Sequence, residues 1–401
     1  MRESLPRRLS PVLLTCFALL FSGCRPEAEA PAPMEGVAVP AGSDIQRIVD
    51  DHPPRSRFIL QHGVHLRQQI TPRRGDVFVG EPGAILDGDG VTEFAFMGGT
   101  AIDSVTIQAL EIRGYAPPPQ WGAVLGVNTL HWIVMKNDIH HNTGGVRLGK
   151  HMQVRGNHIH HNHQTGIMGQ GDHSLIEGNE IAYNNSDLGF DPEVSPETYE
   201  AGGMKITHTR DIMIRDNFVH HNGVTGIWLD IDNIDVTIEG NRVEDNYNQG
   251  IYYEISYRGV IRNNILRRNG ARGGWYHRGG IVVSASSDVE VTGNRLFDNA
   301  MGITGTQTER GSGVHGPHWL QNLDVHDNLL HQAVGVTGVA RDQHVGDEVF
   351  ERNNRFRDNT YVLGSKRHYF RWRRMDLTET EWIALGHDVG GRFTRGAGNE
   401  G

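Results

Sequence analysis

Cysteine, aromatic residues and positive charge are all in short supply in this chain. Only two of its 401 residues are cysteine, Cys16 and Cys24, and both lie near the N-terminus, which excludes a disulfide framework from the rest of the chain. The formal net charge of −10 argues against a nucleic-acid partner and against a polybasic membrane contact. Aromatic residues make up 7% while glycine occurs 51 times, a composition that favours tight turns and short strands over a helical globule.

Long hydrophobic runs are scarce as well, and the clearest one lies at the N-terminus. An apolar core over residues 11–21 follows Arg2, Arg7 and Arg8. This order of charges and apolar residues predicts a leader peptide, and the core is too short to span a bilayer permanently.

The end of this leader carries a further signal. Phe21-Ser-Gly-Cys24 resembles a bacterial lipoprotein cleavage site, with Phe where Leu is commoner. The resemblance implies a signal peptide over residues 1–23, a lipid on Cys24 and an extracytoplasmic location at the cell envelope. An ordinary secretory signal is the alternative. Residues 24–42, rich in Pro, Ala and Glu, are expected to form a flexible tether.

One pattern recurs along most of the remaining chain. A glycine, an alternating strand, a polar gap, a second strand and an Asn-x-x-x-x-Asn turn form a unit, most clearly around residues 202–208, 225–232 and 249–256. The first asparagine of each turn falls at 137, 157, 179, 217, 241, 264, 294 and 354, with a partial copy at 328, and the second at 142, 162, 184, 222, 246, 269, 299 and 359. The shortest spacings, 20 to 24 residues, fit one coil that must stack on its neighbours to bury its apolar side. Asparagine tolerates left-handed backbone at such a bend, and stacked copies should form a ladder of side-chain amides.

The repeat resembles that of the right-handed parallel β-helix repeat family, the pectate-lyase-like superfold, over most of residues 55–365. The resemblance implies an all-β fold, a single-stranded right-handed parallel β-helix (solenoid), which we place at residues 43–365. Alternating aliphatic residues are expected to fill its interior: Ile212, Ile214, Val219, Ile227, Leu229, Val236, Ile238, Val243, Ile251, Ile281, Val283 and Leu296.

Short helices are predicted to cap both ends of the solenoid, whose interior would otherwise be exposed there. The first covers residues 43–50, where apolar residues follow a capping side chain. The second lies in the C-terminal segment 366–401, where Thr378 and Glu381 can form a capping box ahead of a stop at Gly386.

Insertions interrupt several coils, and long loops on a rigid solenoid are where binding surfaces usually form. They span residues 115–122, 185–201, 270–280 and 306–320, the last of which holds His315 and His318. Gly189-Phe-Asp-Pro192 resembles a stretch of the alginate C5-epimerases, but Glu193 stands where they have histidine, which argues against that activity. The Gly-His-Gly and paired-Asp pattern of β-helix polygalacturonases is missing from the sequence.

The three glycine-led segments predict a cluster of polar and aromatic side chains. Counting from each glycine, Lys205, Trp228 and Tyr252 share one position, and Asp230 and Glu254 share another two residues later. Even positions of a strand share a face, and adjacent coils lie about 4.8 Å apart. We therefore expect the two carboxylates to be stacked on the outer face beside the amine.

Such a cluster suits carbohydrate chemistry in three ways, which the sequence leaves open. In a hydrolase, Asp230 and Glu254 would be the acid and the base or nucleophile. In a uronate lyase, Asp230, Asp232 and Glu254 would hold Ca²⁺, and Lys205 or His208 would remove the C5 proton. In a non-catalytic glycan- or envelope-binding protein, the same groups would only hold the sugar. We favour the lyase, because the lysine is present and the polygalacturonase motif is not.

Further residues are expected to bind the polysaccharide in any of these cases. They are Trp228, Tyr252, Asp232, Trp275, His277 and Glu200. The structural alternative is that Lys205 and Asp230 form an ordinary surface ion pair and that the aromatic rings pack beneath the 185–201 loop. We expect a monomer that touches the membrane only through its lipid.

Paired histidines precede the second asparagine in several coils. They are His140, His141, His160, His161, His220 and His221. We interpret them as a solvated structural ladder rather than as a metal cluster.

Overall fold

The chain winds into stacked coils, and each full coil contributes one strand to each of three sheets. The structure is a computed structural model that describes residues 35–185, 200–271 and 278–396. Within these residues the three sheets have 13, 13 and 12 strands, and neighbouring strands are parallel apart from the last pair of the third sheet. This is the parallel β-helix that the repeat predicts.

The bounds of the strands follow the repeat coil by coil. The first sheet contains Val37–Val39, Arg57–Leu60, Val77–Gly80, Thr106–Gln108, Ile133–Met135, Gln153–Arg155, Leu175–Glu177, Met213–Arg215, Ile234–Glu239, Tyr257–Arg262, Ser287–Thr292, Asp324–His326 and Arg355–Arg357. The second contains Gly63–Leu66, Ala84–Asp87, Glu111–Arg113, Asp138–His140, His158–His160, Glu180–Ala182, Phe218–His220, Arg242–Glu244, Ile265–Arg267, Arg295–Phe297, Leu329–Gln332, Thr360–Leu363 and Arg392–Arg395. The third contains Phe96–Met97, Val124–Leu125, Gly144–Leu148, Thr165–Gly169, Gly202–Thr207, Thr225–Asp230, Ile251–Glu254, Gly279–Ser284, Met301–Gln307, Thr337–Arg341, Phe370–Trp372 and Met375–Leu377.

One continuous apolar core runs inside the coils. All twelve aliphatic residues predicted to fill the interior belong to it, and each is at most 1% exposed. Because each strand alternates, its other side chains point to the outer wall, where polar groups can be displayed at fixed spacing. The prediction of the interior is confirmed.

Two ladders of buried asparagine side chains run along the bends, as predicted. In the first, the Nδ2 of Asn217 donates to the Oδ1 of Asn241 at 3.0 Å, and the Nδ2 of Asn241 donates to the Oδ1 of Asn264 at 3.0 Å. The same amides also donate to main-chain carbonyls of the interior, such as that of Ile214 at 2.9 Å. Each amide therefore satisfies buried polar groups on two coils at once.

The ladders differ from the prediction in two respects. The left-handed residue is the one before each ladder asparagine, for example Asp216 (φ 55°) and His221 (φ 52°), and this turn directs the next side chain inward. Asn359 lies in the first ladder rather than the second, because Asp324–His326 pairs with Arg355–Arg357 and so aligns it with Asn328. The first ladder then ends on Asp388, which accepts from Asn359 Nδ2 at 2.9 Å.

Both ends of the solenoid carry a short helix, as predicted. The first is Ile45–Asp50, in which the side chain of Asp44 caps the N-terminus and Ile45 and Val49 are buried. The second is Glu379–Ala384, with the predicted capping box between Thr378 and Glu381 and with Trp382 buried. A 3₁₀ helix, Asp347–Glu351, lies in a connection near the C-terminal end.

The limits of the solenoid lie outside those expected from the sequence. Val37–Val39 pairs with Arg57–Leu60, so residues predicted to belong to the tether form the first strand. At the other end, Arg392–Arg395 pairs with Thr360–Leu363 inside the predicted capping segment. The alternating apolar pattern of so short a strand was hidden by the Pro- and Ala-rich composition around it. Neither α-helix among the described residues has the length and apolar content that a membrane-spanning helix needs.

Candidate functional site

The outer wall of the third sheet brings the predicted side chains into two adjacent rows. Pairing aligns Lys205 with Trp228 and Trp228 with Tyr252, and it aligns Thr207 with Asp230. Continued by one residue pair, the same register places Asp230 beside Glu254, which itself pairs with Ser284. Trp228 and Tyr252 form a cluster with Val282 that is separate from the interior core. The predicted stacking of the two carboxylates on the outer wall is therefore correct.

Lys205 is held between an acid and an aromatic ring. Its Nζ lies 3.0 Å from Asp230 Oδ2 and 4.2 Å from the centre of the Trp228 ring, and it also contacts the carboxylate of Glu200. Burial lowers the pKa of the Lys205 amine below its usual value, although the nearby Asp230 carboxylate acts in the opposite direction. A lysine with a lowered pKa is neutral more often, and a neutral amine can accept a proton.

Glu254 receives donors on both of its oxygens. Trp228 Nε1 donates to Oε2 at 3.1 Å, and Arg310 Nη1 donates to Oε1 at 2.8 Å. Burial raises the pKa of the Glu254 carboxyl, and the charge of Asp230 raises it further. Tyr252 hydrogen-bonds the same carboxylate, and burial keeps the pKa of its hydroxyl well above 10, so it donates this bond. Glu254 is thus the group of the cluster best suited to hold a proton.

Asp230 has one oxygen engaged and one without a partner. Its Oδ2 faces Lys205, whereas its Oδ1 is buried and has no hydrogen-bond partner among the described residues. An acceptor left in this state costs on the order of 1–3 kcal/mol, which a substrate hydroxyl or a water could offset. Asp230 Oδ1 is therefore an acceptor of the cluster that a ligand could use.

Access to the cluster is narrower than the sequence suggested. We predicted a solvent-facing cleft, but Lys205, Asp230 and Glu254 are only 4–5% exposed. Arg310, which contacts Glu254, keeps 38% of its side chain exposed and lies at the rim. A ligand would therefore first meet Arg310.

Asp232 does not join the cluster, contrary to the prediction. The strand ends at Asp230, and Ile231 and Asp232 both adopt left-handed backbone (φ 56°), so the rule that alternate residues share a face no longer applies. His318 Nε2 lies 3.0 Å from Asp232 Oδ1, and the main-chain N–H of Val314 donates to Oδ2 at 3.3 Å. Asp232 therefore anchors the loop of residues 308–320, called here the 308–320 loop, in which Ser312–Gly313 and Gly316–Pro317 form a small hairpin.

The donor set does not fit the predicted Ca²⁺ site. Among the three predicted ligands, as the structure describes them, both oxygens of Asp232 and both of Glu254 already accept hydrogen bonds or ion pairs, and only Asp230 Oδ1 has no partner among the described residues. Calcium takes six to eight oxygen ligands, and here Lys205 and Arg310 add positive charge beside the carboxylates. We derive no step through a metal at this position.

The remaining predicted residues divide into three groups. Glu200 reaches the cluster through Lys205 and is joined to the preceding insertion, since Gln120 Nε2 donates to its carbonyl at 3.3 Å. His208 is exposed, beyond the end of the strand Gly202–Thr207, and does not share the buried position of Lys205. Trp275, His277 and Cys24 lie outside the described residues.

Sequence reasoning missed Arg310, and it named His318 in an insertion without its partner Asp232. Both come from the 306–320 insertion, which was recognised as a loop, and Arg310 meets Glu254 across 56 residues of sequence. Nothing in the repeat pattern encodes such a contact, and the only available signal was the length of the insertion.

The chain has the fold of a right-handed parallel β-helix. Residues 121–296 match the family model described as right handed beta helix region. No curated protein sequence matches the chain.

Solved structures of two kinds share the fold. The A-module of the mannuronan C-5 epimerase AlgE6 of Azotobacter vinelandii is similar with a TM-score of 0.60 and 14% identity, covering 88% of this chain and 94% of that one. The AlgE4 A-module of the same organism has a TM-score of 0.59 and 12% identity over 86% and 97%. The catalytic unit of the GH87 α-1,3-glucanase of Streptomyces thermodiastaticus has a TM-score of 0.60 and 14% identity over 93% and 69%. At such identities the likeness concerns the fold alone.

Proposed function

We propose that this protein acts on a polysaccharide and that the cluster on the third sheet cleaves a uronate polymer by β-elimination. The observation that carries the proposal is the buried Lys205 amine, whose pKa burial lowers and which lies against Asp230 and Trp228. A lysine that takes the C5 proton of a uronate must first lose its own proton, and burial, which lowers the pKa of the Lys205 amine, favours that neutral form.

The cluster contains the groups that the elimination needs. The neutral Lys205 amine takes the proton from C5, and the electron pair of the C–H bond forms the C4–C5 double bond. The C4–O bond breaks with its electrons on the leaving oxygen, which receives a proton from Glu254, whose raised pKa favours the protonated form. Asp230 stabilises the lysinium that results, since its Oδ2 lies 3.0 Å from Nζ.

Basic side chains around the cluster favour an anionic polymer. Arg310 lies at the rim, bonded to Glu254, and could pass to a substrate carboxylate when Glu254 is protonated. Arg147 lies on the same row of the third sheet as Lys205, two strands away. Its buried Nε has no hydrogen-bond partner among the described residues, and it lines a surface pocket together with Lys150. Arg310 and Arg147 would thus place two cationic side chains along the third sheet, which suits a polymer with repeated carboxylates.

A glycoside hydrolase is the second candidate. Glu254 has a raised pKa and Asp230 has an unpartnered oxygen, and their strands are neighbours in the sheet. One protonated and one ionised carboxyl group are what hydrolysis of a glycosidic bond requires. The fold is shared with an epimerase of mannuronan and with an α-1,3-glucanase, so a carbohydrate substrate accords with the architecture, by analogy only.

A panel of uronate polymers and neutral glucans, read by two product assays, tests the proposal. Ultraviolet-absorbing unsaturated ends are expected from uronate polymers, and Lys205→Gln should abolish them while Lys136→Gln, which removes an exposed lysine at a bend between the first and second sheets, should not. Reducing ends without unsaturation would favour the hydrolase. Retention of a glycan without any product, unaffected by Asp230→Asn and Glu254→Gln, would leave a non-catalytic binding protein.

We also propose that the protein is a monomer held at the outer side of a bacterial membrane by a lipid on Cys24. The support is the leader pattern and the cleavage-site resemblance around Cys24. A tethered solenoid would keep its third sheet available to an envelope or extracellular polysaccharide.

A further inference from the structure

The outer wall of the second sheet carries the paired histidines, and their rings do form a ladder. His141 stacks on His161 with centroids 5.4 Å apart, and Tyr183 continues the stack between His161 and His221 at 5.0 Å on each side. The structural interpretation of the histidines is correct for this outer series. The inner series, His140 and His160, has different surroundings.

His140 and His160 meet a carboxylate on the wall of the sheet. Asp138 and His140 share a face of one strand, and pairing places His160 beside His140 on the next. His160 Nε2 lies 2.9 Å from Asp138 Oδ1, and the two imidazole rings stack at 4.8 Å. The three potential ligand atoms all lie within 4.8 Å of one another, and within the described parts of the chain no other group of three His, Cys, Asp or Glu converges in this way.

The second histidine of each pair orients the first. His140 Nδ1 lies 2.7 Å from His141 Nδ1, and His160 Nδ1 lies 2.7 Å from His161 Nδ1. Such a contact needs one proton, which either ring can supply. Because His160 Nε2 lies 2.9 Å from the Asp138 carboxylate, Nε2 donates there and Nδ1 accepts from His161. A metal ion at Nε2 would displace that proton, and the contact with His161 would be kept with Nδ1 as the donor. Histidines that bind metals are usually fixed in this way by a partner at the other ring nitrogen.

The carboxylate of this group has few competing partners. Asp138 is approached only by histidines, since among the described residues its ion-pair partners are His158 and His160. Glu111 Oε1 lies 3.4 Å from His140 Nε2 but is already bonded to Arg113 at 2.7 Å.

We propose that Asp138, His140 and His160 form a binding site for one divalent transition-metal ion on the second sheet, separate from the candidate carbohydrate site on the third. Two imidazole nitrogens and one carboxylate oxygen suit Zn²⁺, Cu²⁺ or Ni²⁺ better than Ca²⁺ or Mg²⁺, which prefer oxygen ligands. Ligand atoms around Zn²⁺ lie about 3.4 Å apart in a tetrahedron, from bonds of about 2.0–2.1 Å, so small side-chain rotations suffice. The solvent side remains open for water or an external ligand.

Zinc titration of the full-length protein, after dialysis against a chelator, tests this site. In competition with a chromophoric chelator, one Zn²⁺ per chain is expected, and His140→Gln and His160→Gln should each weaken binding at least about tenfold. Asp138→Asn should also weaken zinc binding. His141→Phe keeps an aromatic ring but removes the nitrogen that contacts His140 Nδ1, so it should weaken zinc binding less than His140→Gln does.

A matched control comes from another stack of histidines. His131, His151 and His173 also stack, with centroids 4.9 Å apart, and carboxylates bind the outer two, but their ligand atoms do not converge. His151→Gln should therefore leave zinc affinity unchanged. No saturable binding, or equal losses in His151→Gln and His160→Gln, would overturn the proposal. Circular dichroism of each variant identifies any loss of fold, and Zn²⁺ should raise the Tm of the parent but not of a folded Asp138→Asn.

Discussion

At the scale of single residues, the chemistry of the candidate site depends on two groups whose proton affinities burial moves towards each other. Lys205 is less basic than a free lysine, and Glu254 is less acidic than a free glutamate. Neither shift requires unusual neighbours, since removal from water disfavours whichever form is charged. A base and an acid able to work at one pH thus arise from one buried cluster.

Replacing Lys205 tests its role as the base. Lys205→Gln should reduce kcat about 100-fold or more, because a glutamine amide cannot accept the proton. In the parent, activity should increase as the pH rises through the pKa of Lys205, and this increase should lie below 10.5, because burial lowers that pKa. The pH–rate profile measures both effects. An unchanged profile in Lys205→Gln would contradict the assignment, and Lys136→Gln, at an exposed lysine away from the third sheet, is the control.

Glu254→Gln separates function from stability. Activity should fall at least about 100-fold, since the acid is lost. Above the folded-state pKa of Glu254 the parent carries a buried ionised carboxylate, which the variant lacks, so at such pH values the Tm of the variant should be equal or higher.

The pH dependence of this difference gives the stronger check. The pKa of Glu254 is raised in the folded state, so the stability it contributes is complete below about 4.5 and is lost as the pH rises through the folded pKa. The advantage of Glu254→Gln should therefore shrink as the pH falls and vanish below about 4.5. Thermal unfolding at several pH values would show it, and an advantage that grows at low pH would contradict the raised pKa.

At the scale of elements, the asparagine ladders and the 308–320 loop have different roles. The ladders are internal and connect successive coils from Asn137 and Asn142 onward, whereas the loop is a surface insertion attached by a few polar contacts. Stability should therefore respond to the first and activity to the second.

Asn241→Ala should be strongly destabilising. It would remove the side-chain acceptor of the buried Asn217 main-chain N–H and the side-chain donor to the Ile214 carbonyl, whereas the Asn217 amide still donates to Ile176 and Asn264 still accepts from the main chain of residue 241. With on the order of 1–3 kcal/mol for each unsatisfied group, we expect a loss of about 2 kcal/mol or more. Urea unfolding measures it, and Gln69→Ala, which removes an exposed amide, should change the free energy of unfolding by less than about 0.5 kcal/mol.

Asp232→Asn should loosen the 308–320 loop. The change removes the negative charge that His318 approaches at 3.0 Å, while the strand Thr225–Asp230 and its pairing stay intact. We expect faster proteolysis within the loop and a higher KM, since Arg310 belongs to the same loop. Asp235→Asn, at an exposed ion pair with Arg258, is the matched control. Equal protease sensitivity in both variants would show that Asp232 is not the anchor.

At the scale of the whole molecule, the fold follows directly from the sequence, but the site follows only in part. Lys205, Trp228 and Tyr252 were aligned correctly because each lies two residues after a repeat glycine, and parallel pairing preserves that count from coil to coil. The prediction wrongly placed Asp232 in the cluster, because the count from the repeat glycine was continued past Asp230, where the strand ends. Arg310 and His318 were out of reach, since they meet their partners across 56 and 86 residues through a loop that has no period.

The location of the molecule can be tested through its N-terminus. Cys24→Ser should move the protein from the membrane fraction to the soluble extracytoplasmic fraction, because it removes the thiol that would carry the lipid. Fractionation and labelling with a fatty acid would measure this. A variant that stays in the membrane fraction without label would indicate another means of attachment.

The strict pairing of the strands spaces the side chains of each outer wall at regular intervals along the axis of the solenoid. Each side chain on an outer wall is displaced from its counterpart by one strand spacing of about 4.8 Å, whatever the length of the insertions between them. Exchanging two neighbouring coils would therefore shift a chemical group by one strand spacing along the axis. The distances between all other coils would stay the same. A protein of this kind can be matched to a different polymer by reordering its coils, without a new interior.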